Sequence, residues 1–153
     1  MEAKPKIVIL LGPTAVGKTD LALDLASEFG GEIISADSMQ VYRHLDIGTS
    51  KPSPQERERV AHHLIDVVDP DEEFSAARFR ETADAVIAGL AGRKSVFVVG
   101  GTGLYIRTLT GGLIDGPDEG LRRGYREALE GQDSETLHGR LRQVDPAAAG
   151  RIH

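Results

Sequence analysis

The sequence contains no cysteine, which excludes disulfides and thiolate metal sites and fits a reducing cytoplasm. It has no tryptophan and only 5% aromatic residues, too few for a platform that stacks several bases. No apolar run approaches the roughly 20 residues that a membrane span requires. Met1-Glu2-Ala3-Lys4-Pro5 leads directly into a strand-like run, leaving no room for the apolar core of a signal peptide. Positive charge is also in short supply. The formal charge of -6 argues against a globally basic nucleic-acid binder, because phosphate contacts need Lys or Arg. A local basic patch stays open. Neither internal repeats nor low-complexity tracts occur. What is present is 153 residues, 40% hydrophobic and 27% charged, enough for an ordinary globular domain with a real core. The expectation is a cytoplasmic protein without membrane association, acting as a monomer.

Lys6-Ile7-Val8-Ile9-Leu10-Leu11 is a continuous apolar run ending at glycine, the pattern of a buried parallel strand. Helical spacing follows at Leu21, Leu23, Leu25 and Phe29 and stops at Gly30-Gly31, a C-terminal signal. Glu32 to Ala36 reads as a second strand, and Tyr42 to Lys51 as irregular. Ser53-Pro54 opens a helix from Gln55 to Val60, with serine as N-cap and proline in the first turn. His63 to Val68 is a candidate third strand. Ser75 caps a helix with apolar positions at Ala76, Phe79, Ala83, Val86, Ile87 and Leu90, and Ser95 to Val99 is the next buried strand. Strands alternating with helices predict an α/β fold, a parallel sheet with helices on both faces.

After Gly112 the texture changes. Gly116-Pro117 is a breaker, and Asp118 to Glu130 and Ser134 to Val144 read as charged helices with few core positions. We therefore expect a partial α/β core over residues 1–114 and a helical region over 115–153. A sheet whose final strands are missing, in a chain stopping mid-pattern, suggests a fragment.

The sharpest feature is Gly12-Pro13-Thr14-Ala15-Val16-Gly17-Lys18-Thr19. It matches the P-loop pattern and sits between a strand and a helix, the context that separates real P-loops from chance matches. Glycines let backbone N–H groups turn inward around phosphate oxygens, and the helix start adds partial positive charge. Lys18 would reach the outer phosphate, and the Thr19 hydroxyl would face Mg²⁺. The motif recognises a diphosphate, on a nucleotide or a pyrophosphate ester; what hangs from it is decided elsewhere. The strand Val96 to Val99 ends in Gly100-Gly101-Thr102-Gly103, not in the aspartate of a motor or GTPase.

In open parallel sheets, ligands bind beyond the carboxyl ends of the strands. Asp37 and Thr102 follow the second and fourth strands, so both should face the phosphate crevice. Asp37 reads equally as a carboxylate that binds metal-bound water or takes a proton, or as the N-cap of a short helix through Met39-Gln40-Val41-Tyr42. Gly100 to Gly103 reads equally as a helix entry or as a second set of donors around a leaving group. His62-His63 makes a poor metal site, since neighbouring strand residues point to opposite faces. Tyr42 and Tyr105 border a ligand pocket or pack in the core.

Taken together, five blocks resemble one family, the tRNA dimethylallyltransferases, which prenylate an adenosine next to the anticodon. The blocks are the P-loop, Ser35-Ala36-Asp37-Ser38-Met39-Gln40-Val41-Tyr42, Asp46-Ile47-Gly48-Thr49-Ser50-Lys51-Pro52, His62-His63-Leu64-Ile65-Asp66 and Val99-Gly100-Gly101-Thr102-Gly103-Leu104-Tyr105. The resemblance runs through essentially the whole chain but covers about the N-terminal half of a family member. It implies a P-loop NTPase-like fold, with residues 115–153 starting the tRNA-binding insertion. It implies that dimethylallyl diphosphate lies in the P-loop, held by Lys18 and by Mg²⁺ on Thr19. It implies further that Asp37 takes the proton from adenine N6 and that Thr102 assists from the opposite side. By the same resemblance, Asp37, Ser38, Met39 and Gln40 surround a flipped-out adenine. Flipping is physically required, because a stacked base cannot bring its amine into a closed crevice. The resemblance also implies that Arg122, clustered with Arg123 and Arg126, touches the anticodon stem-loop of the tRNA; a solvated helix face is the other reading of that cluster. A free adenine nucleotide is a variant acceptor. The competing classes are a nucleotide or small-molecule kinase, with Asp37 activating a hydroxyl, and a nucleotide-binding module without chemistry.

Overall fold

The structure is a computed structural model, and it describes residues 6–111 and 119–152. The Gly116-Pro117 breaker lies outside the described residues. Contacts group the chain into two compact units, Met1–Leu113 and Ile114–His153.

The first unit is a four-stranded parallel sheet. Its strands are β1 (Ile7–Leu11), β2 (Glu32–Ser35), β3 (His62–His63) and β4 (Val96–Gly100), in the order β1-β4-β2-β3. Between them run α1 (Lys18–Glu28), α2 (Pro54–Arg59) and α3 (Ala76–Leu90), and α4 (Gly103–Gly111) follows β4. Strand side chains alternate faces, and two apolar cores result. Ala22, Leu23 and Ala26 of α1 pack with Ile33, Val60 and Phe97 in one cluster. Phe79, Ala83 and Ile87 of α3 and Tyr105 and Ile106 of α4 pack with Ile34, Val96 and Val98 in the other. The predicted α/β class, with helices on both faces, is what the structure shows. Tyr105 belongs to this core: it is buried and stacks on Phe79 with ring centroids 4.2 Å apart.

Two strand expectations need correction. β1 is parallel but not buried; it is the edge strand of the described sheet, and Val8 and Leu11 are about half exposed. The third strand is only His62–His63, with one isolated bridge further on between Tyr42 and Val68. The reason is backbone conformation. Leu64 (φ 62°) and Asp66 (φ 55°) are left-handed, which no extended strand tolerates. α2 forms as its residues dictate: Ser53 accepts from the Glu56 amide, Glu56 accepts from the Ser53 amide, and Pro54 fills the first turn.

The second unit holds α5 (Glu119–Leu129), α6 (Ser134–Val144) and α7 (Pro146–Ala149). Asp133 caps α6 by accepting from the Thr136 amide, and Asp145 caps α7 by accepting from the Ala148 amide. Among the described residues of this unit, Ala149 is the buried apolar one. Among the described residues no helix is long and apolar enough to cross a membrane.

Candidate phosphate and acceptor site

β1 delivers the chain into a loop whose backbone turns twice into the left-handed region, at Ala15 (φ 66°) and Gly17 (φ 79°). Ala15 there costs about 1 kcal/mol, a strain typical of loops shaped around a ligand. Gly17 is the N-cap of α1 and offers no side-chain acceptor. The first amides of α1 are therefore left for an outside anion, at the positive end of the helix. Lys18 donates its Nζ to the Pro13 carbonyl at 2.5 Å, which folds the ammonium back over the loop.

Facing this loop is a seam between the ends of β2 and β4. The Ala36 amide donates to the Val99 carbonyl (2.7 Å), and the Thr102 amide donates to the Ala36 carbonyl (3.2 Å). The Ser38 amide donates to Thr102 Oγ1 at 3.0 Å. Asp37 Oδ1 accepts from the amides of Met39 (2.8 Å) and Gln40 (3.3 Å), so one oxygen holds the turn. Oδ2 has no partner. The capping reading of Asp37 is thus met by one oxygen, which holds a turn. Gly100 makes the seam possible, because a Cβ there would lie 2.2 Å from the Ala36 oxygen.

Loop and seam enclose a single cavity of about 410 Å³. Thr14, Ala15, Gly17, Lys18 and Thr19 line it together with Asp37 and Gln40. Lys18 and Asp37 therefore share one crevice at the carboxyl ends of the strands. Gly12 and Pro13 shape the loop without lining the cavity, and Val16 borders a smaller hollow beside Leu11 and Leu21. Ser38, Met39 and Thr102 sit in the seam, outside the cavity wall. Arg122, Arg123 and Arg126 are exposed on α5 of the second unit.

The sequence resemblance pointed to Gln40 as a site residue, but not to the contacts by which it braces this wall, nor to Lys51 and His62. Gln40 works as a brace: its Oε1 accepts from Ser35, and its amide donates to the carbonyls of Thr49 (3.1 Å) and Ser50 (3.0 Å). Lys51, with a side chain 3% exposed, donates to the Tyr42 carbonyl (2.6 Å), to Asp46 (2.9 Å) and to Asp66 (2.7 Å). Asp66 also binds Arg57 at 2.8 Å. Burial alone would raise the Asp66 carboxyl, but its bonds to Lys51 and Arg57 hold it below the usual range. His62 lines the cavity and its Nδ1 lies 2.7 Å from the Val60 carbonyl. That geometry makes Nδ1 the donor and leaves Nε2 as an acceptor. Burial lowers the affinity of His62 for a proton. The pairing of His63 with Glu32 at 2.7 Å is a separate interaction. The P-loop motif flags neither His62 nor Lys51, since both lie outside it and Lys51 is fixed by partners up to 15 residues away.

A strand–loop–helix anion cradle at the end of a parallel sheet, with a carboxylate across the crevice, defines an α/β protein with a P-loop NTPase-like fold. Residues 40–153 match the sequence model of the family described as IPP transferase. The chain is 60% identical to tRNA dimethylallyltransferase 2 of Syntrophus aciditrophicus (strain SB), over 98% of this chain and 49% of that protein. It is 56% identical to the tRNA dimethylallyltransferase of Geobacter metallireducens, over 99% of this chain and 50% of that protein. Among solved structures, the tRNA isopentenylpyrophosphate transferase of Bacillus halodurans matches with TM-score 0.71 and 44% identity, over 98% of this chain and 51% of that one. A eukaryotic dimethylallyltransferase acting on tRNA matches with TM-score 0.85 and 37% identity, over 98% of this chain and 38% of that one. This chain belongs to the IPP transferase family. It spans about half the length of the curated relatives it matches.

Proposed function

We propose that this chain carries the diphosphate cradle and the proton acceptor of a tRNA prenyltransferase. The reaction moves a dimethylallyl group from dimethylallyl diphosphate to N6 of an adenosine beside the anticodon and releases pyrophosphate. The observation that supports this most is the shared cavity, with uncapped helix amides and Lys18 on one wall and the Asp37 carboxylate on another.

The residues divide the work. The amides of the loop and the start of α1 receive the diphosphate, and Lys18 exchanges the Pro13 carbonyl for a phosphate oxygen. As the C–O bond to the allylic carbon breaks, negative charge grows on the leaving pyrophosphate, and these fixed donors stabilise it. The N6 lone pair forms the new C–N bond. The nitrogen becomes cationic and acidic, and the free Oδ2 of Asp37 takes its proton. Thr102 keeps the Asp37 turn in place through the Ser38 amide, and its own hydroxyl hydrogen stays available to the substrate. Ser38 and Met39, next to Asp37 in the seam, would flank the extruded adenine, with Gln40 bracing the cavity wall.

Magnesium fits this donor set. Among the described residues no three His, Cys, Asp or Glu side chains cluster as a cage, whereas Thr19 lines the cavity at the helix start. One protein hydroxyl completed by phosphate oxygens and water is a common way to hold Mg²⁺. Bound there, the ion would supply further neutralisation of the leaving diphosphate. Arg122 is assigned to a tRNA phosphate, and the protein works as a monomer in the cytoplasm, where its substrate is found.

The decisive test is Asp37→Asn. The amide oxygen still accepts from Met39 and Gln40, so the turn survives while the proton acceptor is lost. Pyrophosphate affinity should change by about twofold or less, and prenyl transfer should fall by about 10²–10⁴-fold. Transfer at the wild-type rate removes Asp37 from the reaction. The kinase reading is not favoured by the family matches; under it, ATP would bind tightly and dimethylallyl diphosphate would not.

A further inference from the structure

Ile47 is 99% exposed, an anomaly for a large apolar side chain with a rigid base. Residues 45–51 form a loop that follows left-handed His44 (φ 65°) and contains left-handed Gly48 (φ 80°), beside Ile47, and Ser50 (φ 51°). The loop does not hang loose. Thr49 Oγ1 donates to the carbonyls of Leu45 (2.7 Å) and Asp46 (3.3 Å). Gln40 clamps the carbonyls of Thr49 and Ser50, and buried Lys51 anchors the far end on Tyr42, Asp46 and Asp66. A lysine side chain 3% exposed and a half-buried amide fix a tip whose foremost side chain, Ile47, packs against none of the described residues. One clamp and one of the residues it holds are cavity residues: Gln40 and Ser50 line the same crevice as Asp37 and Lys18. Ile47 therefore stands on a preorganised support rooted in the wall of the site.

From this we infer that Ile47 is a wedge, which enters the base stack of an RNA loop and fills the gap left when the target purine swings into the cavity. The inference rests on the prenyl-transfer reading, which requires an extruded base. Enzymes that flip a base lose stacking, and apolar side chains such as Ile inserted at base steps are a known way to replace it. An aliphatic tip suits this role because every base has an apolar face. Rigidity matters as much as polarity, since a mobile loop would have to order itself on binding. Ile47 is thus a specificity residue for a stacked acceptor, acting on extrusion and not on bond making.

The test uses an anticodon stem-loop RNA carrying 2-aminopurine at the target position, whose fluorescence rises when it leaves the stack. Wild-type protein should bind this RNA and raise the signal. Ile47→Ala should lower stem-loop affinity by roughly 10-fold, the scale of one lost stacking contact, and should reduce the signal at saturation. Ile47→Leu should restore most of both. For an unstructured heptanucleotide with the same target, the Ala penalty should shrink to about twofold or less, because an unstacked base leaves no gap to fill. Equal losses on both RNAs, or no loss on either, would overturn the wedge. Transfer from dimethylallyl diphosphate by the wild-type protein is followed in parallel. Normal transfer with no Ile47 effect refutes the wedge alone; absence of both transfer and RNA binding refutes the parent reading and the wedge with it.

Discussion

Lys51→Met isolates the contribution of the buried ammonium while keeping most of the side-chain volume. Three bonds disappear: to the Tyr42 carbonyl, Asp46 and Asp66. They are not equal. Asp46 is 71% exposed, and an exposed pair of this kind contributes about 0–1 kcal/mol. Asp66 is 31% exposed and retains Arg57 at 2.8 Å, so it is weakened but not orphaned; its loss is about 1–2 kcal/mol. The Tyr42 carbonyl, part-buried, loses a charged donor, worth about another 1 kcal/mol. The sum is about 3 kcal/mol, which with a urea m-value of about 2 kcal/mol/M moves the midpoint by about 1.5 M. The acid limb gives a second reading. Asp66 has a depressed proton affinity when folded, so its stabilisation is present above the unfolded carboxylate range and fades as pH falls through the folded value. Without Lys51 that fading should begin at higher pH. Burial opposes the charge on Lys51, but the bonds and charges of Asp66 and Asp46 outweigh it and raise its affinity for a proton. Its own contribution is therefore complete below pH 10.5 and is lost as pH climbs through the folded value. Urea denaturation at pH 7 measures the main effect. A midpoint shift below about 0.3 M would refute the assignment of this lysine as the anchor of the loop.

Other perturbations probe the seam, the cavity wall and the second unit. Gly100→Ala pushes a methyl group to within 2.2 Å of the Ala36 oxygen; thermal and urea unfolding should show a loss of about 2–3 kcal/mol, together with weaker pyrophosphate binding. His62, held down in proton affinity by burial and only partly supported by the Val60 carbonyl, should titrate below 6.5 by NMR. Its contribution to stability is present above the unfolded value and is lost as pH falls through the folded one, so His62→Phe should flatten that limb. Arg122→Ala should reduce the salt slope of tRNA binding by about 1 and weaken different tRNAs alike, the signature of a phosphate contact. An unchanged slope would return Arg122 to the role of a solvated helix residue.

How much of this was legible in the sequence depends on the range over which each feature is determined. The P-loop was readable because its requirements are local: a strand, two left-handed turns and an uncapped helix start within eight residues. The helix caps at Ser53 and Ser75 were readable for the same reason, since each closes on an amide three residues away. β1 misled because an apolar run reports hydrophobicity but not neighbours; Val8 and Leu11 are exposed since the described sheet pairs β1 on one side only. The third strand misled because Leu64 and Asp66 adopt left-handed backbone angles, and Asp66 is held by Lys51 and Arg57, 15 and 9 residues away. Lys51 itself was unreadable as a core residue. In sequence it is one more lysine in a polar loop, and only the convergence of Tyr42, Asp46 and Asp66 buries it.

The order β1-β4-β2 carries one further consequence for chemistry. Many P-loop proteins place an aspartate at the end of a strand near the loop to orient Mg²⁺. Here the neighbouring strand is β4, and its last residue is Gly100. A side chain at that point is impossible without moving β2, because the Ala36 carbonyl occupies the space a Cβ would need. That same carbonyl accepts the Thr102 amide, so the contact that excludes a carboxylate from β4 also fixes the residue next to Asp37. Asp37 instead follows β2, which β4 separates from β1 and the loop after it. A carboxylate beside the loop would serve an ion or a water attacking phosphorus. Under the proposed prenyl transfer, a carboxylate lining the same cavity from the end of β2 would leave the space beside the loop to the diphosphate and an acceptor between them.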